Sequence, residues 1–168
     1  GAANKAAKEM RDRTQKLITD DKTLQLPIHF TEMPFISTFH SLGVHILRAH
    51  GSLIGLNRQF TIYDKTDAKQ AIKEAVAEAG LDPKQFEPAK IQSTISREKG
   101  SGNRISDIRE KYSKDYSKQL LLNVWEKYES ILRREKSVDF DDLLLLTVHL
   151  LKTQEPVRKH YQNIWKYV

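Results

Sequence analysis

Apolar residues recur every three or four positions along most of this 168-residue chain. A spacing of three to four places side chains on one face of an α-helix. The pattern therefore predicts a mainly α-helical fold. The longest run, from about Arg104 to Glu135, is expected to form one helix or two, with no break that the spacing locates. Its periodic residues are Ile105, Ile108, Tyr112, Tyr116, Leu120, Val124, Tyr128 and Ile131.

Shorter helices are predicted on both sides of this run. Thr66 or Asp67 is expected to cap an alanine-rich helix that ends at Gly80, where a left-handed conformation suits glycine. The remaining predicted helices are Asn4 to about Thr19, the segment that follows Thr38, Pro88 to Gly100, the segment that starts near Asp139, and Glu155 to Tyr161.

Strand-like segments occur only near the two ends of the chain. MPFIST at 33–38 is a short apolar run that ends in hydroxyls, and IWKYV at 164–168 resembles the start of a buried strand. Between them, residues 58–136 are helical and highly charged. We therefore predict a partial α/β domain, formed by 1–57 and 137–168, that is interrupted by an all-helical insertion at 58–136.

The composition predicts a soluble chain, and its charge is compatible with a polyanionic partner but equally with none. Lys and Arg total 28 against 22 Asp and Glu, which gives a net charge of +6. No apolar stretch approaches the roughly 18 residues that a membrane span needs, so no membrane partner is expected. Cysteine is absent, which excludes disulfides and thiolate metal sites. With no signal-like N-terminal segment, the expected location is cytoplasmic.

Few residues point to catalysis. Asp139, Asp141 and Asp142 fit either a helix cap, which is the favoured interpretation, or a metal or acid/base cluster. No G-x-x-x-x-G-K-[ST] loop is present to hold a nucleotide phosphate. The six histidines do not have the spacing of a ligand cluster. No catalytic, cofactor-binding or metal-binding residue is therefore predicted within these 168 residues.

Two segments are candidates for contact with a nucleic acid. Ser37 to Ser41 would lie where a strand becomes a helix, a position that presents free amides to an anion. The second is a basic run interleaved with tyrosines, which fits either a sugar-phosphate contact or a solvated helix face with internal ion pairs. This run comprises Arg97, Lys99, Arg104, Arg109, Lys111, Tyr112, Lys114, Tyr116 and Lys118.

The order of several motifs resembles the N-terminal half of the UvrD/Rep/PcrA-type superfamily 1 DNA helicases. The motifs are ANKAAKEM, ISTFHSLGVHILR, FTIYDKTD, TISREKG, VDFDDLLLL and HYQNIWKYV, in that order. The resemblance extends from Asn4 to Val168. It implies a RecA-like subdomain 1A at 1–57 and 137–168, interrupted by the helical subdomain 1B at 58–136.

The resemblance also implies ATP-driven unwinding in the 3′ to 5′ direction, with contacts to single-stranded DNA and to the single/double-strand junction. NKAAKEM is similar to a DNA-contacting motif of the family, and STFHS is similar to the next one. With the basic residues of TISREKG, the expected DNA-binding residues are Asn4, Lys5, Ser37, Thr38, Phe39, His40, Arg97 and Lys99.

This sequence also departs from the family pattern. Ala2 and Ala3 stand where the family has an aromatic residue and a threonine before NKAA. The phosphate-binding loop is expected upstream of residue 1 and the Walker B acids after Val168. ATP and Mg²⁺ are therefore expected as cofactors of the parent enzyme, with none bound by this fragment, which is predicted to be inactive.

Two alternatives stay open for the fragment itself. It either keeps a weak, salt-dependent affinity for DNA or is a structural piece with no DNA binding of its own. An incomplete sheet would leave apolar faces such as LLLLTVHLL at 143–151 uncovered. These pieces are then expected either to rearrange or to associate with a second copy.

Overall fold

The computed structural model of the chain describes residues 36–166, with side chains described from Phe39 to Ile164. The fold is mainly helical, as predicted. It divides into two compact units. The first unit contains the described residues before Phe60 and after Asp141, and the second unit comprises Phe60–Asp141.

The first unit contains three helices and one short 3-10 turn. Helix α1 (Ile36–His50) leads into the 3-10 turn Gly51–Ile54. Helices α6 (Phe140–Thr153) and α7 (Glu155–Lys166) complete the unit. The Tyr161 ring of α7 lies 5.7 Å from the His50 ring of α1, edge to face.

Glycine 43 sets the distance between α1 and α6. A Cβ atom at Gly43 would lie 2.8 Å from the carbonyl oxygen of Leu143 and 3.2 Å from Thr147 Oγ1. The buried face of α1 also carries Ile46 and Leu47, which have no exposed surface. Only glycine allows the two helices to approach so closely at this point.

The strand predicted for MPFIST is wrong where it can be compared. Ile36–Thr38 belong to α1, and 33–35 lie outside the described residues. The three-to-four spacing that begins at Phe39 extends the helix back over these residues, because the preference of Ile36 and Thr38 for strands depends on context and is overridden here. The strand predicted at IWKYV is also wrong for Ile164–Lys166, which continue α7.

The second unit holds two strands and four helices. In chain order these are β1 (Thr61–Tyr63), α2 (Lys65–Glu78), α3 (Pro88–Gly100), α4 (Ile105–Tyr112), α5 (Tyr116–Arg134) and β2 (Ser137–Asp139). Helix α5 is central and packs against α2, α4 and β2. Its Trp125 and Tyr128 are almost completely buried among residues such as Ile72, Val76 and Ile95.

The prediction that 58–136 is all helical needs correction. β1 and β2 pair in parallel, with Thr61 opposite Ser137 and Tyr63 opposite Asp139. Thr, Ile and Tyr favour strands, but a strand three residues long forms only where it finds a partner. The partner of β1 lies far away in the sequence, so local spacing gives no sign of the pair.

The ends of α2 are formed by a local hydrogen-bonded cap and by a glycine, and the cap residue differs from the predicted one. The cap of α2 is Asp64, not Thr66 or Asp67, because the helix begins at Lys65. Asp64 Oδ1 accepts from the Asp67 amide at 2.8 Å, and Asp67 Oδ2 accepts from the Asp64 amide at 3.2 Å. Gly80 has φ of 70°, which confirms the predicted left-handed position.

The long periodic run of the sequence forms two helices. Helix α4 ends at Tyr112, and α5 begins at Tyr116. The break at 113–115 contains Asp115, whose side chain accepts from the Ser117 amide and so caps α5. Within residues 36–166, no helix combines the length and the apolar character needed to cross a membrane.

Candidate nucleic-acid interface

Lysine 99 lies at the centre of a buried polar cluster in the Phe60–Asp141 unit. It projects from the last turn of α3, and only 3% of its surface is exposed. Its Nζ lies 2.8 Å from Glu129 Oε1 of α5 and 2.8 Å from Asp139 Oδ2 of β2. The Tyr128 hydroxyl donates to the same Asp139 oxygen at 2.8 Å, and Trp125 Nε1 donates to Glu129 Oε1 at 3.0 Å.

This cluster leaves Lys99 little surface with which to contact a ligand. A buried ammonium is stable only when opposite charges and hydrogen bonds replace its water shell. Asp139 and Glu129 supply those charges, so the Lys99 ammonium holds three secondary-structure elements together. Its burial counts against the predicted contact with a DNA phosphate, and Lys99 is left out of the interface described below.

The predicted residues of the STFHS turn lie in the first turns of α1. Phe39 and His40 are buried, with 3% and 8% of their surfaces exposed. Ser37 and Thr38 are helical, but their side chains lie outside the described set. Asn4 and Lys5 also lie outside the described residues.

Arginine 97 is exposed on α3 and lies near Tyr112 of α4. Burial raises the pKa of the Tyr112 hydroxyl, the charge of Glu98 raises it further, and the charge of Arg97 partly opposes both. Lys118 Nζ of α5 lies 5.7 Å from the centre of the Tyr112 ring. Tyr112 therefore contacts one cation of α5 and is within the electrostatic influence of one on α3.

Glu98, Asp107 and Asp115 are held in local hydrogen bonds, whereas Glu110, the fourth acidic residue of this region, is exposed. Asp107 Oδ2 accepts from the Arg104 amide at 2.7 Å, and Glu98 Oε2 accepts from Asn103 Nδ2 at 3.1 Å. Asp115 Oδ1 accepts from the Ser117 hydroxyl at 3.1 Å and from its amide at 3.0 Å, and these bonds lower the Asp115 pKa. These three carboxylates are therefore occupied by backbone amides, a side-chain amide or a hydroxyl.

Four cations in the region remain available to a ligand. Arg109 is paired with Glu126 at 3.1 Å. In contrast, the other exposed cations form no ion pair with any residue in 36–166; they are Arg97, Lys111, Lys114 and Lys118. Beside them, Tyr116 exposes 75% of its surface. We call Arg97, Lys111, Lys114, Tyr116 and Lys118 the basic corner.

Sequence reasoning named the run that contains the basic corner but selected Arg97 and Lys99 from it. No signal in the sequence separates buried Lys99 from exposed Lys111 or Lys114. That distinction depends on Asp139, which lies 40 residues from Lys99 in the chain. The exposure of Tyr116 follows from the break between α4 and α5, which the apolar spacing does not locate.

The alternative metal cluster finds no support within the described residues. Among the His, Asp and Glu side chains of 36–166, no group of three or more is arranged to hold a metal ion. Asp139 instead binds Lys99 and Tyr128. The candidate site is therefore a basic, partly aromatic surface.

Comparison with known proteins identifies the family. Residues 2–168 match the family described as UvrD/REP helicase N-terminal domain. The chain is 38% identical over 165 residues to the ATP-dependent DNA helicase PcrA of Staphylococcus aureus (strain Mu50), covering 98% of the chain and 21% of that protein. It is 34% identical to the PcrA of Staphylococcus epidermidis (strain ATCC 35984), with the same coverage.

The chain spans about one fifth of the length of these relatives. The matched region nevertheless includes nearly all of its residues, and the family agrees with the resemblance drawn from the order of the motifs. The chain therefore belongs to the UvrD/REP helicase N-terminal domain family.

Proposed function

We propose that this chain is the DNA-contacting N-terminal portion of an ATP-dependent DNA helicase that unwinds in the 3′ to 5′ direction. The observation that carries this proposal is the 38% identity to a PcrA helicase across 98% of the chain. The net charge of +6 and the unpaired cations of the basic corner add support, because DNA affinity depends strongly on cations that face phosphates.

We assign the two compact units to the subdomains that the family implies. The Phe60–Asp141 unit corresponds to the helical subdomain 1B, and the flanking segments correspond to the RecA-like subdomain 1A. The chain leaves the first unit, forms the second and returns, as expected for an insertion. On this basis we place subdomain 1B at residues 60–141 instead of the predicted 58–136.

We assign the contacts to single-stranded DNA to Asn4, Lys5 and the first turn of α1, and the contacts near the junction to Arg97. In α1, Ser37 and Thr38 would face the strand. Phe39 and His40, which are buried, would hold this turn in place rather than present their side chains. Backbone amides in the first turn of a helix are natural partners for a phosphate.

ATP and Mg²⁺ belong, in this proposal, to the longer protein. The 168 residues contain no G-x-x-x-x-G-K-[ST] loop, and phosphoryl transfer in helicase motors depends on the lysine of that loop. We therefore expect no ATP turnover by the 168-residue chain, with or without DNA. Turnover above a buffer control, measured by phosphate release, would contradict this assignment.

Binding to a 3′-tailed DNA duplex tests the proposed function. Fluorescence anisotropy with the 168-residue chain should give binding that weakens steeply as salt rises from about 50 to 200 mM, with little dependence on sequence. The opposite result, no salt-sensitive binding at any concentration, would favour a structural piece without DNA affinity. In the full-length parent, unwinding of 3′-tailed but not 5′-tailed duplexes would test the polarity.

A further inference from the structure

We propose that the basic corner binds single-stranded DNA by stacking an unpaired base on Tyr116. The inference rests on the proposed function and deepens it, because it names the ligand form and the side chain that selects it. The expected site lies entirely within the Phe60–Asp141 unit, where α4 ends and α5 begins.

Tyrosine 116 is an exposed aromatic ring on a well-ordered turn. It is the first residue of α5 and exposes 75% of its surface. The turn before it is held from several sides. The Ser113 hydroxyl donates to the Glu110 carbonyl at 2.7 Å, Gln119 Nε2 donates to the Ser113 carbonyl, and Asp115 caps α5. The backbone that carries the ring is held in this way, so little backbone entropy is lost when a base stacks on the ring.

The ring is surrounded in the sequence by cations that can contact the backbone of the same strand. Lys111, Lys114 and Lys118 are exposed and form no ion pair with a residue in the described part of the chain. Lys118 is also oriented toward α4, since its Nζ lies 5.7 Å from the Tyr112 ring centre. Aromatic rings among such cations are typical of surfaces that bind single strands.

The exposed ring favours a single strand over a duplex. Bases within a duplex are stacked on each other and present only their edges, so away from its ends a duplex offers no base face to an aromatic side chain. An unpaired base offers its whole face, and stacking of this kind is tolerant of sequence. Phosphate contacts alone would bind both forms, so Tyr116 is the residue that distinguishes them.

The first test compares ring-removing and ring-keeping substitutions in the 168-residue chain. Tyr116→Ala should weaken binding to an oligothymidine by about 5- to 100-fold, the effect typical of one lost stacking contact. Tyr116→Phe keeps the ring and should bind as the unchanged chain does. Binding to a blunt duplex should change little in either variant. Equal loss for the single strand and the duplex would overturn the proposed selection.

The second test separates the basic corner from the overall charge. The triple variant Lys111→Gln, Lys114→Gln, Lys118→Gln should reduce the slope of log affinity against log salt by about 2, at about 0.7 per phosphate contact. A matched triple variant removes the same charge from lysines that are also exposed and unpaired within 36–166: Lys69→Gln, Lys73→Gln and Lys84→Gln. Its slope should stay near that of the unchanged chain.

Tyr116→Trp gives a direct optical signal of stacking. Quenching of the added tryptophan by an oligothymidine, but not by a blunt duplex, is the expected result. Absence of quenching under conditions where anisotropy shows binding would overturn the stacking inference and leave the proposed function intact. Absence of all DNA binding would overturn both.

Discussion

Lysine 99 is a buried residue that is held in position by charged partners instead of by apolar contacts. Its ammonium lies between Asp139 and Glu129, and the side chain of Tyr128 lies beside it, with the ring centre 5.4 Å from Nζ. The cluster contains two carboxylates and one ammonium, so removing the ammonium takes the Lys99 cation away from two carboxylates that have little contact with water. This residue therefore matters for stability much more than a surface lysine does.

Replacing Lys99 with methionine is expected to destabilise the Phe60–Asp141 unit by about 3 to 5 kcal/mol. Urea unfolding, followed by the fluorescence of buried Trp125, measures the change. Lys90→Met is the matched control on the same helix, because Lys90 pairs with Glu87 at 3.5 Å while 80% of its side chain is exposed. The control should lose less than about 1 kcal/mol. Similar values for the two variants would contradict the role given to Lys99.

At the residue scale, the sequence predicts which side chains have suitable chemistry but not which of them reach the surface. Arg97 and Lys99 are two positions apart on one helix and carry the same charge. Their different environments arise because Asp139 and Glu129 come from β2 and α5 and meet on one side of α3 only. Long-range pairing of this kind leaves no mark in the local spacing.

At the element scale, the contact between α1 and α6 depends on the missing side chain of Gly43. In most helices, exchange of glycine for alanine adds stability of about 1 kcal/mol, because alanine is the better helix former. In α1 the new Cβ atom would meet the backbone oxygen of Leu143 at 2.8 Å. Backbone cannot move aside as a flexible side chain can.

Gly43→Ala is therefore expected to destabilise the unit that contains α1 by about 1 to 3 kcal/mol, the usual range for overpacking. Amide hydrogen exchange of α1 and α6 reports the change, and exchange in α2 to α5 serves as the internal reference. The direction of the change in the exchange rate of α1 decides between overpacking and helix propensity. Slower exchange in α1 would mean that helix propensity outweighs the contact with α6.

The elements differ in how far their sequence predicts them. Helix α3 begins at Pro88 and ends at Gly100 as predicted; Pro88 suits a first helical position, and Gly102, with φ of 87°, follows the cap residue Ser101. In contrast, β1 exists through its pairing with β2, and the start of α1 at Ile36 reflects the continuation of a helical pattern through residues that prefer strands. The two ends of α3 were predicted from their own segment, whereas β1 was missed because its partner strand is distant in the sequence.

At the scale of the whole molecule, the Phe60–Asp141 unit has a core of its own. Residues from α2, α3, α4 and α5 surround Trp125 and Tyr128, which have 0% and 1% of their surfaces exposed.

The expectation of self-association rested on uncovered apolar residues at 143–151. Every residue from Leu143 to Leu151 is buried or half-buried, so this segment gives no support to that expectation. Sedimentation velocity of the chain tests it.

Residues 60–141 expressed alone are expected to fold. Circular dichroism should show a helical spectrum, and urea should produce one cooperative transition. Trp125 is the only tryptophan in this segment, so its emission reports the core directly. As a control, the Lys99→Met change in the isolated segment should lower the midpoint as it does in the whole chain. A non-cooperative loss of signal would show that the segment needs its flanks.

The parallel pairing of β1 with β2 has a consequence for how such proteins change over time. The first and last strands of the Phe60–Asp141 unit are neighbours, so the chain enters and leaves it within about 7 Å along the strands. Helices between the two strands can lengthen, shorten or be exchanged for those of a relative without moving either joint. The strand pair therefore allows the helices of this unit, and exposed residues on them such as Tyr116, to change while the two ends of the unit keep their positions.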